Sequence, residues 1–208
     1  MHEKTVIFDS GPLKLEGLFN DLSKGKGVVV AHPHPQYGGD MRNNVVEAIC
    51  DAYNGCGYAS LRFNFRGVGR SEGTYDNGIG EQEDLLAAIG YLSDAGIDRI
   101  DLAGYSFGSW VIALGIKRFE DVNRVVMVSP PVDIFDYSSL ENSGRIKLVI
   151  AGSEDEIADW RSVDKVLPLW NPDARLKVIK GADHFFWGMS KEIKGILADF
   201  LKSDSAGM

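Results

Sequence analysis

The chain has 208 residues, 44% of them hydrophobic and 25% charged, a composition typical of globular proteins and long enough to bury a sizeable core. Its formal net charge of −8 argues against nucleic acid or an anionic membrane as partner, since both demand a cationic face. No apolar run is long enough to cross a bilayer, and Met1-His2-Glu3-Lys4 leads into a strand-like run without a secretory apolar region, so a cytoplasmic location is the default expectation.

Residues 5–9 and 13–19, joined by Ser10-Gly11-Pro12, read as an antiparallel hairpin. Further strands are predicted at 27–32, 58–65, 99–104, 124–129, 147–152 and 175–179. Several are nearly continuous apolar runs (Val28-Val29-Val30, Val125-Val126-Met127-Val128, Leu148-Val149-Ile150), as befits strands buried on both faces. Between them, Val45, Ile49, Ala52 and Tyr53 form one helical stripe. Leu85, Ile89 and Leu92 form a second, behind the acidic turn 81–84 and stopped by Gly96. Residues 110–116 are helix-like. A last helix carries Ile193, Ile196, Leu197, Phe200 and Leu201 on one face, with Ser190 as candidate N-cap.

This alternation predicts an α/β fold: a mostly parallel central sheet with an N-terminal antiparallel hairpin and helices on both faces. No linker or repeat divides the chain, so one domain is expected over 1–208, frayed from residue 203. Cys50 and Cys56 read as free thiols in a reducing compartment, with a bridge between them left open.

Chemistry concentrates around Gly104-Tyr105-Ser106-Phe107-Gly108, between a strand and a helix. A serine on such a tight turn has its hydroxyl pushed clear of the backbone, and a Cβ at either flanking glycine would meet neighbouring main chain. The hydroxyl is a poor nucleophile at neutral pH and needs a base. His184, in Gly181-Ala182-Asp183-His184-Phe185-Phe186, follows the last strand, in a loop at the end of a parallel strand, where open α/β sheets assemble their sites; His2 falls in the terminus. The base needs an acid to fix its tautomer. Asp155 follows strand 147–152, with Glu154 and Asp133 as competitors; Asp183 is the weakest candidate, because sequence neighbours rarely aim side chains at each other.

A developing oxyanion needs backbone N–H donors. Phe107 supplies the first. The second is sought in the loop His32-Pro33-His34-Pro35-Gln36-Tyr37-Gly38-Gly39, where both prolines lack an N–H, leaving His34 with Gln36 in reserve. The spacing of His32 and His34 also suggests a metal pair, but no further ligands cluster there and the prolines stiffen the loop, so no metal is expected. The glycines of Phe65-Arg66-Gly67-Val68-Gly69-Arg70-Ser71-Glu72-Gly73 do not fit a dinucleotide fingerprint, and no P-loop occurs. That segment reads as a structural turn in which Arg66 pins neighbouring loops, and no cofactor is expected. Tyr37, Phe107, Phe186 and Trp187 are the candidate pocket wall.

Together these segments resemble the α/β-hydrolase superfamily, and are most similar to its short, lid-less serine hydrolases related to dienelactone hydrolases. The resemblance spans nearly the whole chain. It rests on the 32–39 loop, on Asn64-Phe65-Arg66-Gly67-Val68-Gly69-Arg70-Ser71, on the Ser106 pentapeptide and on the Asp155 and His184 neighbourhoods. It implies Ser106 as nucleophile, Asp155 as acid and His184 as base, in the chain order of that superfamily, with Phe107 and His34 as oxyanion donors. Dienelactone hydrolases proper carry a cysteine nucleophile where this chain has serine.

The stretch between strands 124–129 and 147–152 leaves no room for a helical cap, so the pocket is expected to be open and to favour small acyl groups. The expected function is hydrolysis of small-molecule carboxylic esters or thioesters, with no nucleic acid or membrane as partner. A non-catalytic ligand-binding protein on a hydrolase scaffold, and a peptidase or amidase, are the rival readings. The oligomeric state leaves no signal in the sequence.

Overall fold

A computed structural model describes residues 3–23 and 25–205. Its strands are β1 (Lys4–Ser10), β2 (Leu13–Asn20), β3 (Lys26–Ala31), β4 (Ala59–Phe63), β5 (Arg99–Tyr105), β6 (Val122–Val128), β7 (Ile146–Gly152) and β8 (Arg175–Ile179). They form one sheet in the order β1-β2-β4-β3-β5-β6-β7-β8. β1 and β2 form the expected hairpin, β2 also runs antiparallel to β4, and the remaining pairs are parallel. The helices are α1 (Asn44–Gly55), α2 (Ile79–Asp94), α3 (Phe107–Gly115), α4 (Trp160–Trp170) and α5 (Ser190–Ser205).

The continuous apolar runs bury both faces because successive side chains alternate. Val29, Leu102, Val125, Met127 and Val149 meet α2, α3 and α4 on one side. Val28, Val30, Ala103, Val126, Leu148 and Ile150 meet α1 and α5 on the other. The predicted stripes supply the facing surfaces: Val45, Ile49, Ala52 and Tyr53 of α1, Leu85, Ile89 and Leu92 of α2, and Ile193, Leu197, Phe200 and Leu201 of α5 are all buried.

Three local expectations change. α4 has no counterpart in the sequence reading, because Pro168 interrupts its pattern; Val163, Leu167 and Trp170 nevertheless share a buried face, and the Asp159 side chain accepts from Arg161 N–H as its N-cap. Ser190 is the first residue of α5 rather than its cap, since Met189 C=O already accepts from Ile193 N–H. The last helix extends past residue 203, where a tail was expected: α5 runs on to Ser205, and Ser203 Oγ donates to Phe200 O. Residues 206–208 and His2 lie outside the described residues. Cys50 and Cys56 are both free thiols.

Two polar groups bind the loops above the parallel strands. His32 is fully buried, its Nδ1 2.6 Å from Pro33 O while Nε2 accepts from Phe65 N–H, so its ring joins the ends of β3 and β4. Burial pushes its pKa down to about 4, so the ring is neutral at pH 7. Arg66, read as a pin between neighbouring loops, instead ties its loop to a helix, clamping the fully buried Asp84 of α2 through Nε and Nη2, at 3.0 and 2.8 Å. Asp84 also accepts from Ser10 Oγ, tying α2 to β1.

Candidate active site

β5 ends at Tyr105 and α3 begins at Phe107, so Ser106 occupies the turn between them, at φ +52° and ψ −116°. A positive φ is strained for a residue with a side chain, and such residues gather at functional sites. Ser106 N–H donates to Val128 O of β6 at 2.9 Å, which fixes the turn to the sheet. The flanking glycines are sterically required. A Cβ at Gly104 would lie 2.6 Å from Ser109 N, and one at Gly108 would lie 2.7 Å from the carbonyl carbon of Ala31.

Three residues distant in sequence meet here. His184 Nε2 lies 3.0 Å from Ser106 Oγ, while its Nδ1 lies 2.9 and 3.0 Å from the two carboxylate oxygens of Asp155. All three are buried. Burial by itself raises the Asp155 carboxyl, but hydrogen bonding to His184, that ring's charge, Ser129 and the Ala158 N–H outweigh it and hold the carboxyl below its ordinary value. An ionised Asp155 assigns the imidazole proton to Nδ1, leaving Nε2 free to accept from the serine hydroxyl. The competing acids lie elsewhere: Glu154 and Asp133 are exposed, and Asp183 turns away to accept from Phe185 and Phe186 N–H, shaping the His184 loop. Two further bonds anchor that loop. Tyr105 OH donates to His184 O at 2.6 Å, and the Asn44 amide donates to Phe185 O at 3.0 Å.

β3 leads to α1 on one face of the sheet and its neighbour β5 leads to α3 on the other, so the chain parts above these two strands. Open α/β sheets bind ligands at such a divide. The 32–39 loop and Ser106 flank it. The His34 ring packs on Phe107, with centroids 4.7 Å apart. Its Nδ1 accepts from Gln36 N–H at 3.2 Å, and its Nε2 lies 3.3 Å from Tyr75 OH. The Gln36 main-chain N–H is therefore engaged within the loop. Both ring nitrogens of His32 are also occupied within the fold.

An uncharacterized protein of Rickettsia prowazekii (strain Madrid E) is 34% identical, over 94% of this chain and 87% of its own. An α/β serine hydrolase homologue from Coxiella burnetii superposes with a TM-score of 0.86 at 32% identity, covering 97% of this chain and 98% of that one. The chain belongs to the α/β serine hydrolases. A member from Xanthomonas campestris that lacks a lid matches this chain with a TM-score of 0.87 at 29% identity, over 98% of this chain and 95% of the other. No family model matches the sequence.

This chain is lid-less in the same way: residues 129–145, between β6 and β7, hold a single 3-10 turn, Ser138–Leu140, and no α-helix. The predicted wall needs correction. Phe186 is fully buried in the core shared with α1 and α5, and the Phe107 ring is equally buried, so neither ring lines a surface. Tyr37 and Trp187 are exposed, at 87% and 71%. Sequence reasoning missed Tyr75, Trp110 and Phe135. The last two stack at 4.3 Å and all three ring the buried Phe107, as half-buried aromatics beside the serine turn. Tyr75 and Phe135 stand in loops and Trp110 in the first turn of α3, positions that in sequence gave little sign of this. An open cavity of about 380 Å³ lies beside Tyr75, between Pro35–Asp40 and Arg66–Gly69. Among the described residues no cluster of ligating side chains could hold a metal ion, and no helix is long and apolar enough to cross a membrane.

Proposed function

We propose that this hydrolase cleaves carboxylic esters or thioesters of small acyl groups through an acyl-serine intermediate. The observation that carries the reading is the unbroken chain of hydrogen bonds from Asp155 through His184 to Ser106. Ser106 Oγ attacks the carbonyl carbon while His184 Nε2 takes its proton, and Asp155 stabilises the imidazolium that forms. The oxyanion is held by Phe107 N–H, at the positive end of α3, and by His34 N–H. As the tetrahedral adduct collapses, His184 returns the proton to the departing alcohol or thiol. Water then repeats the sequence on the acyl-serine and frees the acid. Tyr37 and Trp187, exposed on loops after β3 and β8, flank the substrate. Small acyl groups follow from the missing lid, which leaves nothing to enclose a long chain. Kinship with dienelactone hydrolases belongs to the same reading, with serine in place of their cysteine.

A fluorophosphonate probe tests it. Covalent labelling at Ser106, abolished in Ser106→Ala along with about a millionfold of kcat on a p-nitrophenyl short-chain ester, is the expected result. Folded protein that resists the probe would instead be a binder. Matched ester, thioester and amide substrates then separate esterase from amidase action.

A further inference from the structure

β5, β6 and β7 lie side by side, and just past their ends stand Ser106, Ser129 and Asp155. Ser129, the middle residue, has no part in the mechanism above. Val128, just before it, accepts the Ser106 N–H at 2.9 Å, and Ser129 N–H donates to Ile150 O at 2.8 Å, so the backbone fixes Ser129 between nucleophile and acid. Its φ is +43°, left-handed for a residue with a side chain and directly before Pro130. The residue is 0% exposed, yet its hydroxyl makes no hydrogen bond of ordinary geometry. Strained backbone and an unpaired buried hydroxyl are each costly, and each calls for an explanation.

Asp155 has the matching shortfall. Its Oδ1 accepts from Ile157 and Ala158 N–H, at 2.9 and 2.8 Å, and faces His184 Nδ1 as well. Among the described hydrogen bonds, Oδ2 meets only His184 Nδ1, although the carboxylate side chain is 0% exposed and each carboxylate oxygen can accept twice. A buried donor without an acceptor thus stands beside a buried acceptor short of a donor. The Ser129 side chain also contributes to holding the Asp155 carboxyl below its ordinary value.

We propose that the Ser129 hydroxyl donates to Asp155 Oδ2 and so holds the carboxylate square to His184. Ser129 is then a positioning residue that acts through Asp155. The proposal rests on the hydrolase reading for its catalytic consequence, but not for its structural one. Ser129→Ala removes the hydroxyl and keeps the backbone strain, whereas Ser129→Gly removes the hydroxyl and relieves the strain.

The His184 Nδ1 proton, shared with Asp155, is followed by 1H NMR without substrate. In both variants it should shift or broaden as the looser pair exchanges faster with water. On a short-chain ester, kcat should fall about tenfold in both with KM nearly unchanged, the size of one hydrogen bond to a charged group acting in the transition state. An unchanged Nδ1 proton in both variants, or wild-type kcat in Ser129→Gly, overturns the proposal. The resonance is read without turnover, so it decides the Ser129–Asp155 contact even if the probe leaves wild-type Ser106 unlabelled, the outcome that defeats the hydrolase reading instead.

Discussion

Gly108 shows how little room the serine turn has. Its Cα faces the end of β3, and a side chain there would meet rigid main chain at Ala31 and His32 rather than a movable side-chain tip. Gly108→Ala should therefore push α3 off the sheet, costing about 1–3 kcal/mol of stability. Because Ser106 sits at the foot of α3, kcat on a short-chain ester should drop in the same variant; urea unfolding and ester turnover read the two effects. Residues under such covalent and steric demands were legible in the sequence. The pentapeptide's glycines marked the tight turn, and a histidine and an acid placed after strand ends marked the side chains that meet Ser106. The walls were not legible, because nothing in Phe185-Phe186-Trp187 tells which ring turns inward; Phe186, at φ +52°, turns into the core while Trp187 stays in solvent. Nor did Ser129 stand out, since its interest lies in a backbone angle and a missing partner.

At the scale of elements, two buried polar links decide how the loops sit. Arg66→Ala would leave the Asp84 carboxylate buried with its cationic partner gone, a loss of about 3–5 kcal/mol. Thermal unfolding should register it, and Arg66→Lys should restore only part, since an ammonium cannot reproduce the two-pronged contact. His32 makes stability depend on pH. Its folded pKa of about 4 lies below the ordinary 6.5, so between those values the unfolded chain binds the extra proton and acid favours unfolding. The contribution is fully present above pH 6.5 and is lost as pH falls towards 4, amounting to about 3 kcal/mol. Denaturant midpoints measured between pH 7 and pH 4 should fall accordingly, and His32→Asn should flatten that slope. The strands were legible to within two residues, the central ones because their apolar runs are nearly unbroken. α4 was not, because a proline near a helix end is tolerated by a fold that already buries Val163, Leu167 and Trp170.

Over the whole molecule, the sequence carried the layers and the sense of the sheet but not its strand order, which follows from long-range pairing. The absence of a cap was visible as a short connection, and it has a kinetic consequence. With no lid to displace, turnover of a short-chain ester should rise smoothly with concentration and show no jump where the ester begins to form micelles. A jump at that point would mean that some segment does close over Ser106.

The bond from Tyr105 OH to the His184 carbonyl has a reach that its 2.6 Å length does not suggest. His184 is carried on a loop that leaves β8, an outer strand largely open to solvent. Warming frays margins first. Because that loop is moored to β5, in the interior of the sheet, the imidazole should stay with the serine while the outermost strand loosens. Activity should then persist to temperatures at which the amides of β8 already exchange freely.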